Sequence, residues 1–509
     1  MTPTAGTAPV RSVFRAGGIP LNTILVALRS ITLMVVGIVM LPMLIDRIGQ
    51  AATGLFIFAT TLTGYFTAVE LGLATSVTKY TAELRTTGES ERLNSVLRGS
   101  MLLMIVIGAI IGLVLAIFAV VAGTSLFDEP QVRGEAVATL LVAAAVAIVY
   151  WPSRLGTATL EGLERYDLRA LVGIFISLAA LGGLYVLTGI TDSMPVLVGF
   201  FGGLLVLEGL TCGLLAWPQL GVRRGYGRWI GPHLRAVLAF GSALFIIGMA
   251  DTLVYAADRT IVAAFVGASA IVIYEAALRP HNGIRVISAL AGSALVSTAS
   301  RMVAEARHDR LRELVFFGSF LGIAITTPFV VLVIVLAEPL LRVWLGEDFV
   351  RYAVYVQLLV SYWLIHANTS VLGSVVTGIG RLRPFVVITV VSALTTVAIS
   401  IPAASAYGTV GVIWGIVIPS WLGMPLWMYL ALKVTGISVG DYLRRVALPA
   451  YGLLALWSAA VLAARLLLEP RDLAGLGAFC LVALAGFWAL AAVPARKRWR
   501  RALEVAAAP

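Results

Sequence analysis

Ser76-Val-Thr-Lys-Tyr-Thr-Ala-Glu-Leu-Arg85 returns 222 residues later as Thr298-Ala-Ser-Arg-Met-Val-Ala-Glu-Ala-Arg307. Ala, Glu and Arg are identical, while Ser/Thr, Thr/Ser and Lys/Arg exchange conservatively. Upstream, Ile48-Gly49 followed by Phe56 matches Val266-Gly267 followed by Tyr274 at an offset of 218. Two matches at nearly one offset mark a duplicated unit. Each decapeptide closes a long apolar run, so the duplicated element is a pair of long hydrophobic helices ending in charge.

The rest of the chain says which solvent those helices meet. Of 509 residues, 60% are hydrophobic and 12% charged, with 50 glycines besides, and the mean hydropathy is +0.97. A soluble domain carries about 45 to 50% apolar residues and about 25% charged ones. Apolar runs near or above the roughly 20 residues that cross a bilayer lie at 21–48, 51–78, 99–122, 136–153, 170–189, 195–219, 236–266, 269–298, 316–337, 353–378, 385–405, 410–432, 446–464 and 474–494. The expected fold class is an all-α polytopic membrane protein of about 14 transmembrane helices. The first run is longer than a signal-peptide core and is read as a retained span.

Orientation follows from the basic residues. The N-terminus and every second loop hold 27 of the 37 Lys and Arg, the opposite loops hold 6, and 4 lie inside spans. The positive-inside rule places both termini in the cytoplasm, and a bacterial inner membrane is the expected location. The same distribution accounts for the net charge of +11 without nucleic acid, through contact with anionic lipid. Spans 1 and 7 then start on the same side, so the repeats are parallel, as in transporters built from two lobes. The expected division is an N-lobe over 1–220, a C-lobe over 221–435, and a helix pair with a basic tail over 436–509. The outside loops, with acids such as Asp128, Glu129, Glu347 and Asp348, are too short for a catalytic domain. Cys212 and Cys480 both lie in apolar runs, so neither a disulfide framework nor a metal cluster is expected. No Gly-Lys-Ser/Thr phosphate loop occurs, which argues against ATP hydrolysis.

Ionisable side chains inside a bilayer cost a few kcal/mol each and are functional hypotheses by default. Nine fall inside spans, away from their ends: Arg29, Glu70, Glu208, Asp251, Asp258, Arg259, Glu275, Arg279 and Arg285. Eight sit on helices 1, 2, 7 and 8, which overrun the hydrocarbon core and must tilt or break, with Pro280 one local cause. Arg29 and Arg285 lack an acid three or four residues away on their own helices. Both are anion-binding candidates, although Arg29, about 12 Å past the start of its span, is also placed to snorkel to the interface. Arginine suits phosphate because its planar donors bind in pairs and it stays charged when desolvated. Glu275 and Arg279, four apart, read equally well as a structural pair or a ligand site. Glu70, Asp251, Asp258 and Glu275 are the candidates for a coupling ion, H+ or Na+. Tyr362, Trp363, His366 and Asn368 form a polar-aromatic group suited to a sugar, or an interfacial belt. Glu208 has no local partner and no assigned role.

Across roughly residues 15 to 435 the chain resembles the polysaccharide and oligosaccharide flippases of the multidrug/oligosaccharidyl-lipid/polysaccharide exporter superfamily. The resemblance rests on the order and spacing of Asn22, Ile48-Gly49, Glu70-Leu-Gly-Leu73, where many relatives have Asp, Lys79 to Arg85, Asp258-Arg259, Ala337-Glu-Pro-Leu-Leu-Arg-Val-Trp-Leu-Gly346 and Thr377-Gly-Ile-Gly-Arg381. It implies two six-helix lobes in a V, alternating access, and a cationic cavity for the diphosphate-sugar head of a polyprenyl-linked oligosaccharide. Arg29, Arg279 and Arg285 fit that cavity by position, and spans 13 and 14 match an extra helix pair that grooves the lipid tail. A monomer with no cofactor is expected, moving its lipid-linked substrate toward a polymerase or ligase machinery. The alternatives are a cation-coupled drug antiporter or cell-wall precursor flippase of the same superfamily, and, from another class, a membrane-embedded polysaccharide polymerase or ligase.

Overall fold

A computed structural model describes residues 18–65, 67–127, 129–220, 257–293, 302, 308–379, 383–468 and 470–507. Among them every regular element is helical, as a bilayer demands of a chain that must satisfy its backbone internally. In order they are α1 (Gly18–Ile48), α2 (Gln50–Tyr65), α3 (Thr67–Thr86), α4 (Ser90–Leu126), α5 (Pro130–Gly162), α6 (Tyr166–Leu187) and α7 (Met194–Ala216). They continue with α8 (257–265), α9 (Ala268–Ser293), α10 (His308–Val335), α11 (Ala337–Leu345), α12 (Ala353–His366), α13 (Thr369–Ile379), α14 (Arg383–Tyr407) and α15 (Thr409–Thr435). A short helix Val439–Tyr442 and a π turn Leu443–Ala447 lead into α16 (Leu448–Leu467), and α17 (Leu473–Ala507) ends the chain.

Ten of these helices are long and apolar enough to cross a membrane, and α12 with α13, bent by 47°, makes an eleventh if counted as one span. The remaining expected spans, 2, 7 and 8, carry charge or run partly outside the described residues. Helix α9 runs through Pro280 without interruption; the break falls instead at Ala367–Asn368. Side chains such as Val121, Leu214 and Leu467 are 73 to 84% exposed. That much apolar surface on so many helices is tolerable only against lipid.

The chain divides into two compact units. The first comprises Met1–Gly49, Ala59–Ser125 and Val132–Gly248, the second Gln50–Phe58, Leu126–Gln131 and Met249–Pro509. Small residues set the helix packing in the first, because without a hydrophobic drive between helices the backbones must approach closely to gain contact. A Cβ on Gly156 of α5 would lie 2.2 Å from the Gly209 carbonyl of α7, and one on Gly202 2.5 Å from Val146. In the second unit Gly411 and Gly415 of α15 press equally close on Ala403 and Ser400 of α14. Its core runs through Phe320, Ile323, Leu372, Tyr442, Trp457 and Phe487, which seats α16 and α17 on α10. The Trp488 indole donates to the Ala324 carbonyl at 3.2 Å.

The two glycines matched in the sequence repeat share one backbone state: Gly49 has φ +80° and Gly267 φ +117°, a region a side chain strains to enter. Gly267 also leaves room for Glu129, whose carboxylate accepts from the Ser269 backbone N–H at 3.0 Å and hydroxyl at 2.7 Å. Glu129 thus caps the exposed donors at the start of α9.

Candidate substrate-binding site

In the first unit Glu208, on α7, is the centre of a buried charge cluster. Its Oε1 accepts a short hydrogen bond from Arg169 Nη1 of α6 and lies 3.5 Å from Arg29 Nη2 of α1. Arg169 also approaches Glu161 of α5 at 3.5 Å. The side chains of Arg169 and Glu208 are 6% and 12% exposed, that of Arg29 27%. Gly173, one turn beyond Arg169, makes the crossing possible: a Cβ there would stand 2.3 Å from Arg29 Nε. Arg29 Nε is itself buried with no hydrogen-bond partner among the described residues. Glu208, which has no partner near it in sequence, thus takes its partners from helices distant in the chain.

The second unit builds a counterpart from α8 and α9. Arg259 grips Glu275 as a fork, donating from Nε to Oε2 at 3.0 Å and from Nη2 to Oε1 at 3.2 Å. Arg279 Nε stands 3.2 Å from Oε1, one helical turn along, without hydrogen-bond geometry. The neighbouring pair meets in the same way: Tyr274 donates its hydroxyl to Asp258 Oδ2 at 2.9 Å. Asp258 is 3% exposed and its Oδ1 has no hydrogen-bond partner among the described residues. Arg285, further along α9, is exposed. Glu70 lies in α3 with its side chain outside the described residues, and Asp251 lies wholly outside them.

The polar-aromatic group divides at the bend between α12 and α13. Tyr362 stacks on His366 with ring centroids 3.6 Å apart, and both line a cavity of about 340 Å³. Trp363 is buried beside His281, whose Nδ1 donates to the Leu359 carbonyl at 3.1 Å. Asn368 lies apart from that cavity. Its amide donates to Ile365 O at 3.0 Å and the Tyr451 hydroxyl at 2.8 Å, and accepts from Tyr442 at 2.8 Å. Those bonds tie the bend to the C-terminal helices.

Residues 95–354 match the model of a family described as "Polysaccharide biosynthesis protein". The chain belongs to this polysaccharide biosynthesis family. No curated protein matches it by sequence. Among solved structures it is similar to the lipid II flippase MurJ in its inward closed conformation, with a TM-score of 0.68 and 14% identity over 92% of this chain and 98% of that one. It is also similar to a multidrug resistance MATE family transporter of the MOP superfamily, facing inward, with a TM-score of 0.60 and 16% identity over 80% and 95%. The MATE transporter DinF-BH, solved with R6G, gives 0.58 and 16% over 86% and 99%. This member of the polysaccharide biosynthesis family is thus a multi-pass membrane protein with the MOP-superfamily fold, as the resemblance implied.

In this family member the site residue that sequence reading missed is Arg169. Standing at the edge of an apolar run, it passed for one more cytoplasmic topology charge. The buried face of α6 runs Arg169, Gly173, Ser177, Ala180 and Leu184, a helical period of small residues that begins on the arginine. That register was the clue that Arg169 points inward.

Proposed function

We propose that this protein moves a polyprenyl-diphosphate-linked oligosaccharide from the cytoplasmic to the outer leaflet of the bacterial inner membrane by alternating access. One observation carries the reading. Each unit holds a buried glutamate served by two arginines, one deep and hydrogen-bonded, the other less buried and in looser ionic contact. The deep arginine neutralises the glutamate. The outer one, Arg29 or Arg279, is held in its cluster only by looser ionic contact, which a stronger anion can replace. A diphosphate is such an anion, with oxygens spaced for the guanidinium fork. Arg285 adds a third cation, on α9, and Tyr362 and His366 are the proposed sugar-side residues, with Trp363 packed behind them on His281 and Asn368 holding the bend.

The substrate's tail need not leave lipid. Trp457, Ala460, Val461, Phe479 and Val482 of α16 and α17 line an apolar groove of about 720 Å³, suited to an isoprenoid chain. Moving negative charge out of an inside-negative cell is favoured by about 2.3 kcal/mol per charge per 100 mV. Among Glu70, Asp251, Asp258 and Glu275, Asp258 is the best candidate for a coupled cation, since Glu275 is already held by arginine. The family, and a fold shared with a flippase, support this reading.

The test is reconstitution. Lipid-linked oligosaccharide presented on the cytoplasmic face becomes accessible to a glycosidase on the other face only when the protein is present, and Arg29→Ala or Arg285→Ala abolishes that exposure. Asp258→Asn leaves exposure in place but removes its response to a proton or sodium gradient. Normal exposure in both arginine variants sinks the proposal, and gradient-driven movement of a cationic drug in its place supports an antiporter.

A further inference from the structure

The cavity of about 340 Å³ in the second unit lies among α12, α13, α14 and α15. Three aromatic rings line it, those of Tyr362, His366 and Trp427, together with the hydroxyls of Thr389, Ser392 and Ser420. No Asp, Glu, Lys or Arg is among its lining residues within the described part of the chain. A charged ligand would be desolvated there without a counter-charge, at a cost that grows in low dielectric. Yet the walls are polar, which a cavity serving helix packing alone does not need.

Hydrogen-bond direction narrows the ligand further. Thr389 donates its hydroxyl proton to the Phe385 carbonyl at 2.9 Å, and Ser420 to Ile416 at 2.7 Å. Thr369, also on the wall, donates to the His366 backbone carbonyl at 2.7 Å. A hydroxyl has one proton, so each has only lone pairs left to offer. His366 follows the same rule. Its Nδ1 lies 3.2 Å from the Tyr362 carbonyl, an obligate acceptor, so Nδ1 holds the proton and Nε2 is left as an acceptor. These four groups therefore favour a ligand with several donors, while the Trp427 indole N–H and the Ser392 hydroxyl can meet its acceptors. An ionised phosphate, which only accepts, is disfavoured by its charge and by the lone pairs that Thr369, Thr389, Ser420 and His366 present.

The rings supply the remaining half of the match. Tyr362 and His366 stack, while Trp427 is braced edge-on by Phe385 at 5.2 Å. Flat apolar faces beside a rim of acceptors fit a molecule with a C–H face and a hydroxyl rim. The volume sits at the lower end of the roughly 300 to 1,000 Å³ of small-molecule pockets, far too large for a bare ion.

We propose that this cavity binds an uncharged sugar ring, stacked on Trp427 or Tyr362 with its hydroxyls donating to Thr389, Ser420 and His366. The proposal rests on the reading that the chain handles a lipid-linked sugar, and assigns the neutral part of that substrate to walls that carry no arginine. The test is saturation-transfer NMR on the full-length protein in nanodiscs, with the methyl glycosides of glucose, galactose and N-acetylglucosamine and with inorganic diphosphate as competitor. At least one glycoside receives saturation, diphosphate does not compete, and Trp427→Leu weakens binding about ten-fold or more. Ser392→Val, a smaller change, weakens the same signal and serves if the tryptophan variant fails to fold. No transfer to any of the three, competition by diphosphate, or transfer that survives both substitutions overturns the proposal.

Displacement of the glycoside by polyprenyl-diphosphate oligosaccharide assigns the cavity to the head of the transported lipid. Binding without displacement assigns it to a free sugar, and either result upholds a sugar site. Glycoside binding without lipid movement in the glycosidase assay counts against the transport reading alone. Lipid movement without Trp427-dependent glycoside binding counts against the cavity alone.

Discussion

In the first unit Glu208 gathers arginines from two other helices, one of them 179 residues away, whereas in the second Glu275 gathers Arg259 and Arg279 from within 21 residues. The composition is the same, two guanidinium groups on one carboxylate, but the construction differs. Three helices must be correctly packed before Glu208 is neutralised, while a single helical hairpin neutralises Glu275. The first cluster is therefore a reporter of tertiary packing and the second largely of local geometry. Asp258 sharpens the contrast, since this additional buried acid stands next to Arg259 in the chain and is held by Tyr274.

The comparison can be broken most severely by removing the shared acid. Glu208→Ala leaves Arg169 buried without its main counter-charge and is expected to cost about 3 to 5 kcal/mol, read as a lowered unfolding temperature in detergent. Replacing Arg169 and Glu208 together by methionine is expected to restore most of that stability, because a buried pair exchanged for apolar groups of similar volume is often neutral. Lipid movement should fall in the same double variant, and unimpaired movement would assign the first cluster to structure alone.

A milder perturbation targets the glycine that admits Arg29. Gly173→Ala places a methyl 2.3 Å from Arg29 Nε, and overpacking of this kind costs about 1 to 3 kcal/mol. Gly182→Ala, on the same helix with nothing within 4 Å, should instead gain about 0.5 to 1 kcal/mol from helix propensity. Equal effects of the two substitutions in thermal unfolding would show that the passage through Gly173 does not hold Arg29. The smallest effect is expected at Arg279→Ala. It loses one same-helix ionic contact worth about 0.2 to 0.5 kcal/mol, while Arg259 keeps both of its bonds to Glu275. A larger loss of stability would mean that the two units depend on their outer arginines alike.

Much of the second cluster is legible in the order of residues. Glu275 and Arg279 are four apart, and adjacent Asp258 and Arg259 cannot face each other; they meet adjacent Tyr274 and Glu275 instead. The first cluster is not legible in this way, because nothing near Glu208 in sequence carries a positive charge and Arg169 resembles the other charged residues of the segment between two apolar runs. The polar-aromatic run of α12 is legible as a group but not in its parts. The bend at Ala367–Asn368 turns Tyr362 and His366 toward the cavity and gives Asn368 to Tyr442 and Tyr451.

By itself the sequence determined the solvent and the helical class, since hydropathy and span length are properties of contiguous residues; the second copy of the repeated decapeptide lies largely outside the described residues. The positive φ at both Gly49 and Gly267 shows how far matched words reach into backbone geometry. Only the tertiary structure decided which charges neutralise one another and which polar side chains share a wall. Those outcomes depend on helix rotation and backbone approach at Gly173 and at the α12–α13 bend, and an ion pair across helices has a distance but no spacing in sequence.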